Sequence, residues 1–296
     1  MTQTAELSSV SERVQPRLFK NAPLWQLAIL IGLVGWLYYE VLVRLVLQWW
    51  RDPNFSHGFF VPLFSAYVIW LRRKELLALP RRPSWWGALI VAAGVLLLVL
   101  GDIGAELFVS RLSLLVVMAG LVILFGGWQH QRALLFPWAF LVFMIPIPAL
   151  IFNQITFPLQ LLASKLASSV LPILGVPVLR EGNVINIPNM PLEVAEACSG
   201  IRSLLSLTTL AIIYGYLLET KVVIRVLLAL ASLPIAVVAN SLRIVGTGLV
   251  VYYWDPQKGE GFFHTFSGWL LFVVSLTMLF LLHKSLTLFE AKKVSS

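Results

Sequence analysis

SWWGALIVAAGVLLLVLGDIGAELFVSRLSLLVVMAGLVILFG, residues 84–126, is a pair of apolar runs separated by a short segment that holds Asp102 and Glu106. At about 1.5 Å per residue, a helix of about 20 apolar residues crosses the roughly 30 Å hydrocarbon core of a bilayer. Backbone N–H and C=O groups find no water there, so such runs are helical. The stretch reads as an antiparallel pair of spans, 84–101 and 106–126, joined by an acidic turn.

The same pattern recurs on both sides. Apolar runs occupy 24–45, 57–71, 132–152, 199–218, 222–251 and 262–283. Residues 153–174 are apolar but carry Pro158, Pro172 and Lys165, and a mostly polar stretch, 175–197, follows. Across the chain 59% of residues are hydrophobic and 12% charged, with mean hydropathy +0.87. Soluble domains run near 45–50% apolar and about 25% charged, so a bilayer is the solvent here. The net charge of +8 belongs to loops that fix orientation rather than to nucleic-acid binding. One cysteine excludes an intramolecular disulfide and any CxxC chemistry. Polar residues 1–22 precede a run too long for a cleavable signal.

Charge sets the topology. Arg72, Arg73, Lys74, Arg81 and Arg82 outnumber Glu75 between the second and third spans. Residues 219–225, the C-terminal Lys284, Lys292 and Lys293, and the N-terminal Arg13, Arg17 and Lys20 lean the same way. All are expected on the cytoplasmic side, and the acidic 101–106 turn outside. Parity then requires 153–197 to begin and end outside, with 153–174 as an interfacial or re-entrant helix. Around the Glu181-Gly182-Asn183 turn, Val184, Ile185, Ile187, Leu192 and Val194 suggest strand–turn–strand. The expected fold is an all-α membrane protein: an eight-transmembrane-helix bundle with a small outer cap that has room for a short β-hairpin. A tail, 1–22, precedes one integral-membrane domain, 23–284, and a second tail, 285–296, follows it; both termini are expected inside the cytoplasm.

Ionisable residues in or beside spans are costly and mark function. Cys198, in Glu196-Ala-Cys-Ser199-Gly200-Ile-Arg202, stands where an outer loop meets a helix start, and free N–H groups there stabilise a thiolate; a lone cysteine is otherwise a small apolar filler. Asn240 and Arg243 are i and i+3, on one face of an apolar span, and that face points into the bundle; a snorkelling arginine is the bland reading. His264 lies at the outer start of the last span. The topology puts a thiol, a guanidinium and an imidazole at one depth, the parts of nucleophilic acyl transfer. Arg202, one turn after Cys198, either lowers its pKa or anchors at the interface, and Glu196 is a candidate ion-pair partner for Arg202 or Arg243. Asp52, Ser56 and His57 either line a substrate entrance or cap a helix. Snorkelling is the expectation for Arg111. No metal and no cofactor are expected: His130 and His283 fall on the side opposite His57 and His264. Eleven tryptophans suit interfacial belts.

In order, the motifs Asp52-Pro-Asn-Phe-Ser-His-Gly-Phe, Arg180-Glu-Gly-Asn, Glu196-Ala-Cys-Ser-Gly-Ile-Arg-Ser-Leu, Asn240-Ser-Leu-Arg-Ile and His264-Thr-Phe-Ser-Gly-Trp resemble the exosortases, relatives of the archaeosortases, over roughly residues 50–275. That family is described as having eight spans. The resemblance implies a membrane cysteine transpeptidase in the bacterial inner membrane, with its site on the periplasmic side. Its partners would be exported proteins bearing a C-terminal Pro-Glu-Pro motif, a membrane helix and a basic tail, in work linked to exopolysaccharide-associated export. Cys198 would attack the backbone carbonyl, form an acyl-thioester and pass the chain to an acceptor nucleophile. Arg243 would stabilise the oxyanion and His264 move the proton, an assignment open to exchange, with Ser199 and Gly200 supplying backbone N–H donors. Competing readings are a transporter or polysaccharide-processing protein with Arg243 and Arg111 lining an anionic path, a non-enzymatic assembly subunit, and a protease that delivers the acyl group to water.

Overall fold

The computed structural model describes residues 24–188, 190–193, 200–254 and 262–295. The described residues are mostly helical, with one small sheet among them, and the chain forms two compact units: Met1–Gln48 with Pro62–Ile145, and Trp49–Val61 with Pro146–Ser296.

In the first unit the 84–126 stretch folds as the sequence suggests. Helices α5 (Trp86–Ile103) and α6 (Leu107–Phe125) are joined by a tight turn in which the Glu106 amide donates to the Gly101 carbonyl at 2.8 Å. The Glu106 side chain caps the Phe108 amide at 3.3 Å. Gly87, Gly94 and Gly101 recur every seven residues and line the face of α5 that meets α6. A Cβ on Gly94 would stand 2.6 Å from Val117 Cγ2, and one on Gly120 would stand 2.7 Å from the Val91 amide. Lipid tails are as apolar as leucine, so membrane helices associate by close packing of small residues. The spacing was present in the sequence as a seven-residue glycine period. Gly120→Leu is expected to destabilise the chain by about 1–3 kcal/mol or more through overpacking, because the obstructing atom is backbone. Thermal unfolding of the membrane-embedded chain measures this, and Gly32→Leu, with open space around its Cβ site, should change little.

The first expected span, 24–45, is bent. α1 (Leu24–Leu37) and α2 (Tyr39–Arg51) meet at 70°. Glu40, Arg44, Gln48 and Arg51 fall on one face of α2, and a straight span would place that polar stripe in hydrocarbon. Tyr38, at the bend, is fully buried and shares a 3.0 Å hydrogen bond with Ser113 of α6. Helix α3 (Phe60–Leu71) leads to the short α4 (Arg73–Ala78). Arg72 donates to the Ala133 carbonyl at 3.1 Å and pairs with Glu75 at 3.1 Å, tying this basic corner to the rest of the unit.

The expected fifth span, 132–152, is not one helix. It is divided into α7 (Trp128–Ala133), α8 (Leu135–Phe140) and a 3-10 turn, Leu141–Met144, held by a 2.8 Å bond from the Trp138 indole to the Leu115 carbonyl. Pro146 and Pro148 interrupt the ladder there, since proline lacks the N–H. The long helix follows: α9 (Ala149–Val170), which runs through Pro158 although proline removes a helix donor. Pro172 instead opens a closing 3-10 turn, Pro172–Leu174.

In the second unit α9 leads to strands β1 (Leu179–Glu181), β2 (Val184–Ile187) and β3 (Met190–Glu193), an antiparallel sheet in the order β1-β2-β3. The strand–turn–strand reading was one strand short, because the exposed β1 carries no apolar alternation. Gly182 takes the turn at φ +65°, and both Arg180 and Ser164 donate to its carbonyl. Ile185, Ile187 and Leu192 are buried in one cluster with Ala163 and Ala167 of α9 and Leu171 just after it. Helices α10 (Gly200–Leu218), α11 (Val222–Tyr253) and α12 (Phe262–Ser295) complete the unit, with α11 packed on α9, α10 and α12. α12 continues through the residues expected as a C-terminal tail.

Among the described residues, five helices are long and apolar enough to cross a membrane: Trp86–Ile103, Leu107–Phe125, Ala149–Leu174, Val222–Tyr253 and Trp269–Leu288. The bent α1–α2 pair makes up to six, and Leu135–Met144 and Leu204–Leu218 are shorter apolar helices.

Candidate active site

Cys198, Ser199 and Glu196 lie outside the described residues. β3 ends at Glu193 on a sheet whose apolar face is buried, and α10 begins at Gly200. Fully burying an isoleucine or leucine contributes about 1.5–3 kcal/mol, so three such side chains hold the sheet firmly. Arg202 lies in the first turn of α10 and His264 in the first turn of α12; the structure describes their backbone, not their side chains.

Arg243 is fully described. It lies on α11 with 5% of its surface exposed, and Asn240, one turn earlier, is also buried. Val237, Ile244 and Val245, which surround them in sequence, pack in the same cluster as Ile185, Ile187 and Leu192 of the sheet. An i, i+3 pair shares one helix face, and here that face points inward, as the sequence indicated. α11 also bonds directly to α10: Thr208 and Ser232 hydroxyls meet at 2.8 Å, while Ser232 donates to the Ala229 carbonyl at 2.6 Å. The helices that carry Arg202, Arg243 and His264 are thus neighbours within one unit.

The Asp52–Phe59 segment joins the same unit. Residues Pro53–Phe59 form a 3-10 helix packed on α10. Asp52 caps it by accepting from the Asn54 amide at 2.9 Å, and the Ser56 hydroxyl donates to the Pro53 carbonyl at 3.1 Å. Asp52 and Ser56 therefore perform turn chemistry. His57 is 8% exposed. Phe55 meets Phe152 of α9 with centroids 6.0 Å apart, and Trp49 meets Phe59 edge-on at 5.2 Å. Of the two sequence readings, a substrate entrance or a helix cap, the cap is what Asp52 and Ser56 form, and the motif packs on the helix that follows Cys198.

The far ends of α10, α11 and α12 are fastened by a cluster that sequence reasoning missed. The Tyr214 hydroxyl and His283 Nδ1 are 2.8 Å apart, and His283 Nε2 lies 3.3 Å from Glu219 Oε2. Glu219 Oε1 accepts from the Thr220 and Lys221 amides at 2.8 and 3.0 Å, and Arg225 Nε donates to the Glu219 carbonyl at 2.7 Å. The Lys221 amide above all, then the His283 side chain, hold the Glu219 carboxyl below its usual range against opposing desolvation. A depressed carboxyl contributes stability above the unfolded pKa and loses it as pH falls through the folded value, so this corner should weaken only in acid. His283 follows His264 by 19 residues, about 28 Å along the helix. His283→Ala is expected to cost about 1–3 kcal/mol by leaving Tyr214 and Glu219 short of a partner, read as a lower unfolding temperature. His283→Gln should recover part of it.

Fold and composition define a multi-pass membrane protein with a small sheet seated on its helices. A family model described as transmembrane exosortase (Exosortase_EpsH) matches residues 49–281. The chain belongs to the exosortase family, whose members act on exported proteins that carry sorting signals. No curated protein and no solved structure matches the chain. Among the described residues no group of three or more His, Cys, Asp and Glu side chains is arranged to hold a metal ion.

Proposed function

We propose that this chain is a membrane cysteine transpeptidase that cleaves the C-terminal sorting signal of exported proteins and passes them to an acceptor. The carrying observation is that Arg243 is buried on a helix packed against both α10 and α12, whose first turns follow Cys198 and contain His264. The family match spans all three positions. The substrate class is an exported chain ending in a Pro-Glu-Pro motif, a membrane helix and a basic tail, and its processing accompanies exopolysaccharide-associated export.

The thiol of Cys198 gives its proton to His264 and attacks the carbonyl carbon. Arg243, which stays charged in any ordinary setting, donates to the oxyanion of the tetrahedral intermediate. Collapse breaks the C–N bond, His264 returns the proton to the leaving amine, and an acyl-thioester remains on Cys198. An acceptor nucleophile gives its proton to His264, takes the acyl group and restores the thiol. Ser199 and Gly200 offer backbone N–H groups beside the same oxygen, and Arg202 adds positive charge one turn into α10.

The reading places the chain in the bacterial inner membrane with eight spans, both termini in the cytoplasm and the site in the periplasmic half. Charge-derived parity allows one crossing between residues 127 and 178. That crossing is made by α9 or by the broken 128–145 segment, and either leaves the sheet outside. The test is mass spectrometry of a co-expressed Pro-Glu-Pro-tailed substrate. A product truncated at the motif and extended by an acceptor mass supports transfer. A product extended only by water makes the enzyme a protease, and an intact substrate rejects the reading.

A further inference from the structure

Arg111 lies in the second turn of α6, about 6 Å along the axis from Leu107 at 1.5 Å per residue. Snorkelling would turn its guanidinium out to the interface. Instead only 3% of its surface is exposed, and its Nε has no hydrogen-bond acceptor among the described residues. None of the ion pairs among the described residues includes it.

Its neighbours on α6 are committed elsewhere. The Ser110 hydroxyl donates to the Glu106 carbonyl at 3.3 Å, and the Ser113 hydroxyl bonds to the Ser110 carbonyl at 2.7 Å and to Tyr38. The Glu106 carboxylate, five residues before Arg111, caps the helix, and Glu106 and Asp102 both remain exposed. A guanidinium does not shed its proton. A charge buried without a counter-ion costs several kcal/mol, and an ionisable group kept at such a cost inside a membrane protein marks a site of use.

We propose that Arg111 is an anion-recognition residue that takes one carboxylate side chain of the exported chain, an inference that rests on the reading of the protein as a sorting-signal processor. The planar fork of donors matches a carboxylate in bidentate fashion. The low exposure favours a side chain threaded into the protein over a lipid headgroup at its perimeter. The exposed Asp102 and Glu106 at the same end of α6 repel a phosphate dianion more strongly than a single carboxylate. Arg111 is thereby a specificity residue separate from the acyl-transfer groups.

The experiment uses the full chain carrying Cys198→Ala, in nanodiscs, so that no turnover occurs. Two labelled signal peptides are compared, one with a single glutamate and the other with glutamine in its place. The glutamate peptide should bind at least about tenfold more tightly, the scale of a charge-assisted bidentate pair. Arg111→Gln should bring that ratio close to one, and Arg111→Lys should keep part of it. An unchanged ratio in Arg111→Gln, equal binding of the two peptides, or no binding of either overturns the proposal. A ratio seen only in phosphatidylglycerol nanodiscs and absent in phosphatidylcholine assigns the anion to lipid and also overturns it. Thermal unfolding adds a reading independent of peptide: Arg111→Met removes an uncompensated charge and should raise the unfolding temperature, whereas a fall would reveal an internal partner and sink the idea. A preserved peptide ratio beside a processing assay that fails would remove the thiol mechanism and leave the anion site standing.

Discussion

Cys198→Ala is expected to reduce processing of a tailed substrate by at least about 10⁴-fold, the scale of removing a covalent nucleophile, while membrane insertion and thermal unfolding stay unchanged. Cys198 is the chain's one cysteine, so thiol chemistry has no substitute elsewhere. The same property supplies a second measurement. A maleimide labels a single site in the whole chain, and the pH dependence of its rate reports the thiolate directly. A helix start, together with Arg202 and His264, should move that profile below the ordinary thiol range. Processing retained by Cys198→Ala would refute the nucleophile assignment whatever the labelling shows.

Arg243→Gln is expected to lower kcat by about 10²–10³-fold, the scale of losing one oxyanion donor, with KM changing far less. Arg243→Lys should recover little, because an ammonium cannot reproduce the fork of donors. If Arg243 instead moves the proton, the two substitutions would change the pH profile of kcat rather than only its height. Because Arg243 is buried on the central helix of its unit, thermal unfolding must accompany the kinetics. A variant that unfolds at the parent temperature and still turns over normally would remove Arg243 from the mechanism.

Much of this protein was legible from residue order. The 84–126 pair, the inward face bearing Asn240 and Arg243, and a small cap after residue 175 all follow from period and polarity. They are local properties: a helix face is set by a 3.6-residue repeat, and a span by the length of an apolar run. Both survive without knowledge of what packs where.

Residue order alone determined the membrane solvent and the helical class, and it is the source of the proposed acyl-transfer motifs, because each rests on composition or on spacing within one segment. Only the tertiary structure decided that the 24–51 stretch bends at Tyr38, that the Asp52–Phe59 motif packs on α10, that His283 fastens Tyr214 and Glu219, and that Arg111 is buried without an ion-pair partner among the described residues. These depend on contacts between residues distant along the chain, and whether a polar group has a partner is a fact about its neighbours in space rather than about its own sequence.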